Sequence, residues 1–204
     1  MVGLEEFRAR LTQHWVESGQ RPHSIPIGGS TAIGAIGYAF AFDEIIEQCS
    51  EQNFSADAIV FTTSSGGTHA GLVAGLVRAR ARDPLKNLPK IIGIGVAKGK
   101  ALSSPSVTDL ANETLALLDE PFHATQADIF IDPNYMGSDY AVVTKEATEA
   151  AKWAANRGAW VLDSVYSAKG LSGLLGLDEQ NTFGQGSNVV FIHTGGLPSV
   201  FASH

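Results

Sequence analysis

Apolar residues follow two patterns along the chain: short continuous runs, which favour buried strands, and helically spaced positions, which favour amphipathic helices. The continuous runs lie at 58–61, 91–96, 129–131, 159–162 and 189–192. The helical spacings lie at 4–15, 32–48, 69 or 70 to 77, 104–118, 144–153 and 168–177. Strands that alternate with helices predict an α/β fold with a mainly parallel sheet and helices on both faces. Because neither a repeat nor a linker interrupts the pattern, residues 1–204 are predicted to form a single α/β domain.

The positions of proline and glycine refine this prediction. Residues 24–27 are expected to be a short extended piece, with Pro26 at a strand end or edge because proline cannot donate to a sheet ladder. Gly28-Gly29-Ser30 then turns the chain into a glycine-rich helix start. Gly19 and Gly158 are suited to end the helices that precede them.

The most informative stretch is residues 56–76, ADAIVFTTSSGGTHAGLVAGL. A strand, a turn of hydroxyl and glycine residues and a helix follow one another here, which presents backbone N–H groups and a helix N-terminus to an anion. An ordinary strand-to-helix turn with a capping hydroxyl is the alternative. The density of Ser, Thr and Gly favours a phosphate site. Neither the Walker lysine nor the spacing G-x-G-x-x-G follows, so a nucleotide-binding domain is poorly supported.

Three predicted strands end in small polar or aromatic residues, at 62–68, 163–167 and 193–196. Ligands of open parallel sheets bind outside the carboxyl ends of the strands. We therefore expect these three segments to converge on one site.

Composition and charge exclude several classes of protein. The net charge of −7 and the absence of a long Lys/Arg run argue against nucleic acid as a partner. No stretch reaches the roughly 18 apolar residues of a spanning helix, so no membrane partner is expected. Cys49 is the only cysteine and the N-terminus lacks a signal-peptide core, which together predict a cytoplasmic protein.

Four motifs occur in an order typical of one enzyme family: IPIGGSTAIGAIGY at 25–38, SSGGTHAGL at 64–72, DSVYSAKGLSGLL at 163–175 and FIHTGGLPSVFA at 191–202. They resemble the pyridoxal-phosphate (PLP) enzymes that include D-cysteine desulfhydrase and 1-aminocyclopropane-1-carboxylate (ACC) deaminase. The resemblance covers nearly the whole chain. It implies the tryptophan-synthase-β-like fold, called fold type II, pyridoxal 5'-phosphate as cofactor and a small amino acid as substrate.

The resemblance also implies roles for individual residues. The cofactor phosphate would be held by Ser65, Gly66, Gly67 and Thr68, and the pyridine nitrogen would lie near Thr194 and Gly195 of the HTGG turn. Tyr166 and Tyr140 would be active-site tyrosines beside the ring and the substrate. Without the resemblance, Tyr166 would be interpreted as a packed residue bonded at a strand end and Thr194 as a plain turn hydroxyl. No metal ligands are predicted.

The family's Schiff-base lysine has no match in this sequence. In the family it comes early, before the segment that matches residue 1, so we expect the large-domain part of such an enzyme. Lys169 matches a different position and is expected to be structural. The chain alone is therefore predicted to be inactive. A companion chain with the lysine-bearing part and a homo-oligomeric assembly are expected partners.

Ser167 stands where the deaminase branch has a glutamate. A carboxylate there keeps the pyridine ring protonated, whereas a hydroxyl does so weakly, so the resemblance favours a D-cysteine desulfhydrase-like β-elimination to pyruvate, ammonia and sulfide. The alternatives are an ACC deaminase-like enzyme and a non-catalytic ligand-binding or assembly module.

Overall fold

The computed structural model describes residues 2–97, 103–139, 141–158, 160–196 and 200–201. Within these ranges the strands are β1 (Ala58–Thr63), β2 (Lys90–Gly95), β3 (Phe130–Asp132) and β4 (Val189–Ile192). The helices are α1 (Val2–Glu17), α2 (Ala32–Glu51), α3 (Gly67–Arg82), α4 (Ser104–Leu117), α5 (Lys145–Asn156) and α6 (Ser167–Glu179). The strands form a parallel sheet in the order β3-β2-β1-β4.

Alternate residues of β1 point to two separate apolar cores. Ile59 and Phe61 pack with α2, α3 and α4 on one face of the sheet. Val60 packs with Ile94 and Leu177 on the other face, where α6 lies and α5 packs against α6. The predicted α/β fold, with a parallel sheet and helices on both faces, is confirmed. That residues 1–204 form a single domain stays a prediction.

Two glycines of α3 allow this helix to lie directly against α2. A Cβ on Gly71 would overlap the backbone carbonyl of Ala35, and one on Gly75 would be 2.5 Å from the Cβ of Phe42. Close backbone approach of this kind fixes α3 beside α2. It also places the N-terminus of α3 beside the turn that precedes α2.

Two predicted extended segments differ in the structure. Of the predicted strand at 159–162, residue 159 lies outside the described residues, and residues 160–162 form no strand. Trp160 and Val161 remain exposed, and the segment makes no ladder with β4. Its contact to β4 is instead a tilted ring pair of Trp160 with Phe191, whose centroids are 5.7 Å apart. Residues 24–27 are not a strand either. Pro26 is extended, but Ile27 already belongs to a short 3-10 turn at Ile27–Gly29.

The predicted opening helix is present as α1, but its apolar side is not covered. Leu4 and Phe7 are more than half exposed, and the described hydrogen bond that joins this helix to a later segment runs from Arg8 to the Ser24 hydroxyl, at 3.1 Å. Among the helices in the described ranges, none is long and apolar enough to cross a membrane.

Candidate functional site

A cleft of about 600 Å³ lies at the carboxyl ends of β1 and β4. Its walls are built by Ile27, Gly28, Tyr38, Ser64, Ser65, Thr68, Asp163, Val165, Tyr166, Thr194 and Gly196. All three segments that were expected to converge, 62–68, 163–167 and 193–196, contribute to it. The predicted convergence is therefore confirmed, although residues 160–162 do not form the strand that was expected to lead into 163–167.

The loop after β1 leads directly into the N-terminus of α3. Gly66 caps the helix with φ 85°, in the left-handed region that glycine adopts without a Cβ penalty. The helix begins at Gly67, two residues earlier than the first of the two starts predicted from the sequence. Ser65 and Thr68 line the cleft. Gly66 and Gly67 do not line it. Hydroxyls beside a helix N-terminus are nevertheless the chemistry that anions prefer.

Ser30 joins this loop from the turn before α2. Its Oγ accepts a hydrogen bond from the Gly67 N–H (3.2 Å) and donates one to the Ser65 Oγ (2.8 Å). The neighbouring Gly28, with φ 73°, packs so closely on Ser65 that a Cβ there would overlap the hydroxyl. Sequence reasoning treated Gly28-Gly29-Ser30 as a helix start and missed its contact with the loop.

Asp163 organises the segment 163–167. Its carboxylate accepts hydrogen bonds from the backbone N–H groups of Val165, Tyr166 and Ser167, at 2.7–3.0 Å, and from the Ser167 hydroxyl at 2.7 Å. Burial by itself would raise the pKa of Asp163, but these hydrogen bonds, first that of the Ser167 side chain, bring the pKa below its ordinary value. Asp163 is therefore held as a carboxylate in the cleft wall.

Ser167 is fully engaged by this arrangement. Its hydroxyl donates to Asp163 and also accepts from the Asp163 backbone N–H at 3.0 Å, and the residue is 1% exposed. It does not line the cleft. The expectation that position 167 faces a ring nitrogen as a weak donor is not met by this side chain.

The predicted residues Tyr166 and Thr194 differ in how their hydroxyls are engaged. Tyr166 lines the cleft and its hydroxyl donates to the carbonyl of Thr62 at 3.0 Å. Thr194 also lines the cleft, and its Oγ1 is buried without a hydrogen-bond partner in the described part of the chain. Tyr140 lies outside the described residues. Thr194 thus offers a polar atom that a ligand in the cleft would satisfy.

The turn at 193–196 is held by the imidazole of His193. Because a carbonyl only accepts, the 3.0 Å contact of His193 Nε2 with the Val161 carbonyl requires a proton on Nε2. The other ring nitrogen, Nδ1, then accepts from the Gly195 N–H at 3.3 Å. The Gly195 N–H is therefore hydrogen-bonded within the turn. Gly196, rather than Gly195, lines the cleft.

Lys169 does not line the cleft. It is 0% exposed and its Nζ donates to the carbonyls of Met136 (2.6 Å) and Asp139 (3.2 Å). Burial lowers its pKa, while Asp139 and Asp163 act in the opposite direction. These contacts tie α6 to the loop that carries Met136 and Asp139, in agreement with the structural role expected from the sequence.

The sequence of the chain matches a known enzyme family. Residues 4–195 match the family model described as pyridoxal-phosphate dependent enzyme. The chain belongs to this family. The family resemblance stated from the motifs is thereby confirmed, and pyridoxal phosphate is the cofactor that the family implies.

Two relatives define the extent of the match. The chain is 36% identical to a D-cysteine desulfhydrase of Salmonella typhi over 186 residues, which are 91% of this chain and 54% of that protein. It also matches a crystal structure of an ACC deaminase homologue with a TM-score of 0.83 and 27% identity, over 97% of this chain and 56% of that one. The chain thus spans about half the length of each of these two proteins.

Proposed function

We propose that the chain is the cofactor-phosphate-binding part of a PLP-dependent lyase or deaminase for a small amino acid, most similar to D-cysteine desulfhydrase. The observation that supports it best is the buried, unpartnered Thr194 Oγ1, which lines the same cleft as the hydroxyl-rich loop at the N-terminus of α3. An anion site and a separate buried hydroxyl match the two polar ends of a phosphorylated pyridine. The residues of the cleft therefore fit the cofactor.

The roles follow from this fit. Ser65, Gly66, Gly67 and Thr68 would hold the phosphate with hydroxyls, backbone N–H groups and the helix dipole. Thr194 would meet the ring nitrogen, with Gly195 shaping the turn behind it. Tyr166 and Tyr140 would stand beside the ring and the substrate. When bound, the cofactor supplies the electron sink for bonds broken at the substrate's α-carbon.

The state of Ser167 supports a desulfhydrase-like reaction over a deaminase-like one. Its hydroxyl is occupied by Asp163 on both its donor and its acceptor side. Among the described lining residues, Thr194 offers a neutral hydroxyl without a partner, whereas the Asp163 carboxylate is committed to four hydrogen bonds. A neutral partner stabilises a protonated ring weakly, which suits loss of a good leaving group such as a thiol. The proposed reaction is the β-elimination of sulfide from D-cysteine, after which water hydrolyses the released enamine to pyruvate and ammonia.

The lysine that would bind the cofactor covalently is proposed to come from the part of the relatives' length that this chain does not cover. Lys169 is unsuited to that role because it is buried and donates to the carbonyls of Met136 and Asp139. The lysine-bearing part would be supplied by a companion chain, and a homo-oligomer is the proposed assembly. The chain alone is proposed to bind the cofactor without turning over substrate.

Equilibrium binding tests the proposal directly. Fluorescence titration of the chain with pyridoxal phosphate and with pyridoxal should show tighter binding of the phosphorylated ligand, and Ser65→Ala should weaken only the phosphate-dependent part, by roughly tenfold. Thr194→Val should weaken both ligands. Ser50→Ala, an exposed hydroxyl on α2, is the matched control. Equal affinities for the two ligands in the unaltered chain would contradict the proposal.

Activity distinguishes the enzyme from a non-catalytic module. Addition in trans of the lysine-bearing part of a D-cysteine desulfhydrase should restore sulfide release from D-cysteine, measured with a thiol-specific dye. Restored turnover of 1-aminocyclopropane-1-carboxylate instead would favour the deaminase. Ligand binding without turnover in any mixture would favour the binding module.

A further inference from the structure

The loop that would bind phosphate is braced from a distant part of the chain. Ser30 lies 35 residues before Ser65 and hydrogen-bonds both its hydroxyl and the first N–H of α3, at 2.8 and 3.2 Å. The Ser30 hydroxyl therefore caps the N-terminus of α3 from outside the helix. Gly66, which stands at the cap position itself, has no side chain to do this.

Ser30 links the Gly67 N–H to the Ser65 hydroxyl through two hydrogen bonds. The Gly67 N–H donates to Ser30 Oγ, and the Ser30 hydroxyl donates in turn to Ser65 Oγ. Ser65 Oγ then accepts from Ser30, which leaves the Ser65 proton to be donated elsewhere. No other described residue hydrogen-bonds the Ser65 hydroxyl, and Ser65 lines the cleft. The three groups form a chain of donors whose last proton is available to the cleft.

Steric fit shows that the contact is specific. A Cβ on Gly67 would be 2.7 Å from Ser30 Oγ and 3.1 Å from its Cα, and a Cβ on Gly28 would overlap Ser65 Oγ. Two glycines therefore stand where any side chain would separate the turn from the loop. Both strain and overlap would follow at Gly28, because its φ is 73°.

We propose that Ser30 is a positioning residue for phosphate binding: it fixes the Gly67 N–H and directs the Ser65 hydroxyl proton into the cleft. This inference rests on the proposed function and adds a residue to the same site. Hydrogen bonds in a chain polarise one another, so the Ser65 hydroxyl donates more strongly while Ser30 donates to it. The bound anion gains from this although Ser30 does not line the cleft.

The test measures the ratio of the dissociation constants for pyridoxal and pyridoxal phosphate, using the full chain. Ser30→Ala should lower this ratio by roughly tenfold and leave pyridoxal affinity unchanged, because pyridoxal lacks the phosphate. Ser30→Thr keeps the hydroxyl and should retain most of the ratio. A role in stability alone would change the melting temperature without changing the ratio. Ser50→Ala is again the control for loss of a serine hydroxyl on the same part of the chain.

A double-mutant cycle with Ser65→Ala shows whether the two serines act together. If Ser30 acts through Ser65, the loss in Ser30→Ala/Ser65→Ala is smaller than the product of the two single losses. A ratio unchanged in Ser30→Ala, or losses that multiply fully, would overturn the role of Ser30 while the proposed function stands. An unaltered chain with no preference for the phosphorylated ligand would overturn both. The two failures are therefore distinguishable.

Discussion

His69 provides a pH-dependent test of the core beneath the loop at 64–68. The imidazole is 0% exposed, and neither ring nitrogen has a hydrogen-bond partner in the described part of the chain. It packs edge-on against the Phe61 ring, with centroids 5.1 Å apart, and a Cβ on Gly93 would be 2.8 Å from its Nδ1. Burial lowers the pKa of His69 from 6.5 to about 3. The folded protein therefore holds this imidazole neutral.

The sign and size of the effect follow from proton linkage. Below pH 6.5 the unfolded chain binds a proton at His69 that the folded chain does not, so stability falls as the pH falls, down to about pH 3 where the folded state takes up the same proton. The limiting loss is about 5 kcal/mol, at about 1.4 kcal/mol per pH unit. Between pH 7.5 and pH 5.0 the expected loss from this group is about 2 kcal/mol.

Urea unfolding at a series of pH values between 7.5 and 5.0, followed by circular dichroism, measures this loss. His69→Leu and His69→Gln should each remove about one proton from the pH dependence, since the other five histidines are common to all variants. His14→Gln, on the exposed surface of α1, is the matched control for the loss of an imidazole. Asp163 and Asp128, whose pKa values are lowered from 3.8, act at lower pH and do not interfere. A slope in His69→Leu equal to that of the unaltered chain would refute the reasoning.

Three further predictions concern packing and the cleft wall. Gly71→Ala should lower the free energy of unfolding by roughly 1–3 kcal/mol, because its Cβ would overlap the Ala35 carbonyl and separate α2 from α3; Gly37→Ala, where a Cβ meets nothing within 4 Å, is the control in the same denaturation assay. Asp163→Asn should destabilise the chain at pH 7 by roughly 1–3 kcal/mol and reduce the loss of stability below pH 3.8, since the carboxylate form is the one that the fold stabilises; an unchanged acid limb would contradict this. Lys169→Met should speed proteolysis in the loop before Asp139 yet leave binding of the phosphorylated ligand intact, whereas loss of an absorbance band specific to a lysine adduct would contradict its structural role.

The sequence predicted most of the fold because the apolar pattern and the sheet agree. Strands with continuous apolar runs, such as β1 and β2, pair with a strand on each side and are buried on both faces, which is the condition for such runs. Residues 160–162 have a similar run and are not a strand. Only Leu162 of the three is buried, so the apolar pattern there has no matching partner.

The candidate site was only partly predictable for a different reason. Ser65, Thr68, Tyr166 and Thr194 line the cleft as expected, because each follows a strand or a strand-like run and the ends of parallel strands converge. Ser30 was missed because its partners are 35 and 37 residues away along the chain, whereas the spacing of residue types indicates contacts only between residues close in sequence. Ser167 was placed in the site by resemblance, whereas the hydrogen bonds of Asp163 turn its hydroxyl into the wall.

The charges of the cleft suit binding of a ligand rather than its chemical conversion. Among the lining residues that the structure describes there is no lysine or arginine, and the one carboxylate, Asp163, is committed to four hydrogen bonds. The phosphate would therefore be held by neutral donors and the dipole of α3. The Tyr166 hydroxyl donates to the Thr62 carbonyl, so it would have to leave that bond before it could transfer its proton. Under the proposed function, this chain binds and orients the cofactor, and the group that moves the substrate's proton belongs to the part that contributes the lysine.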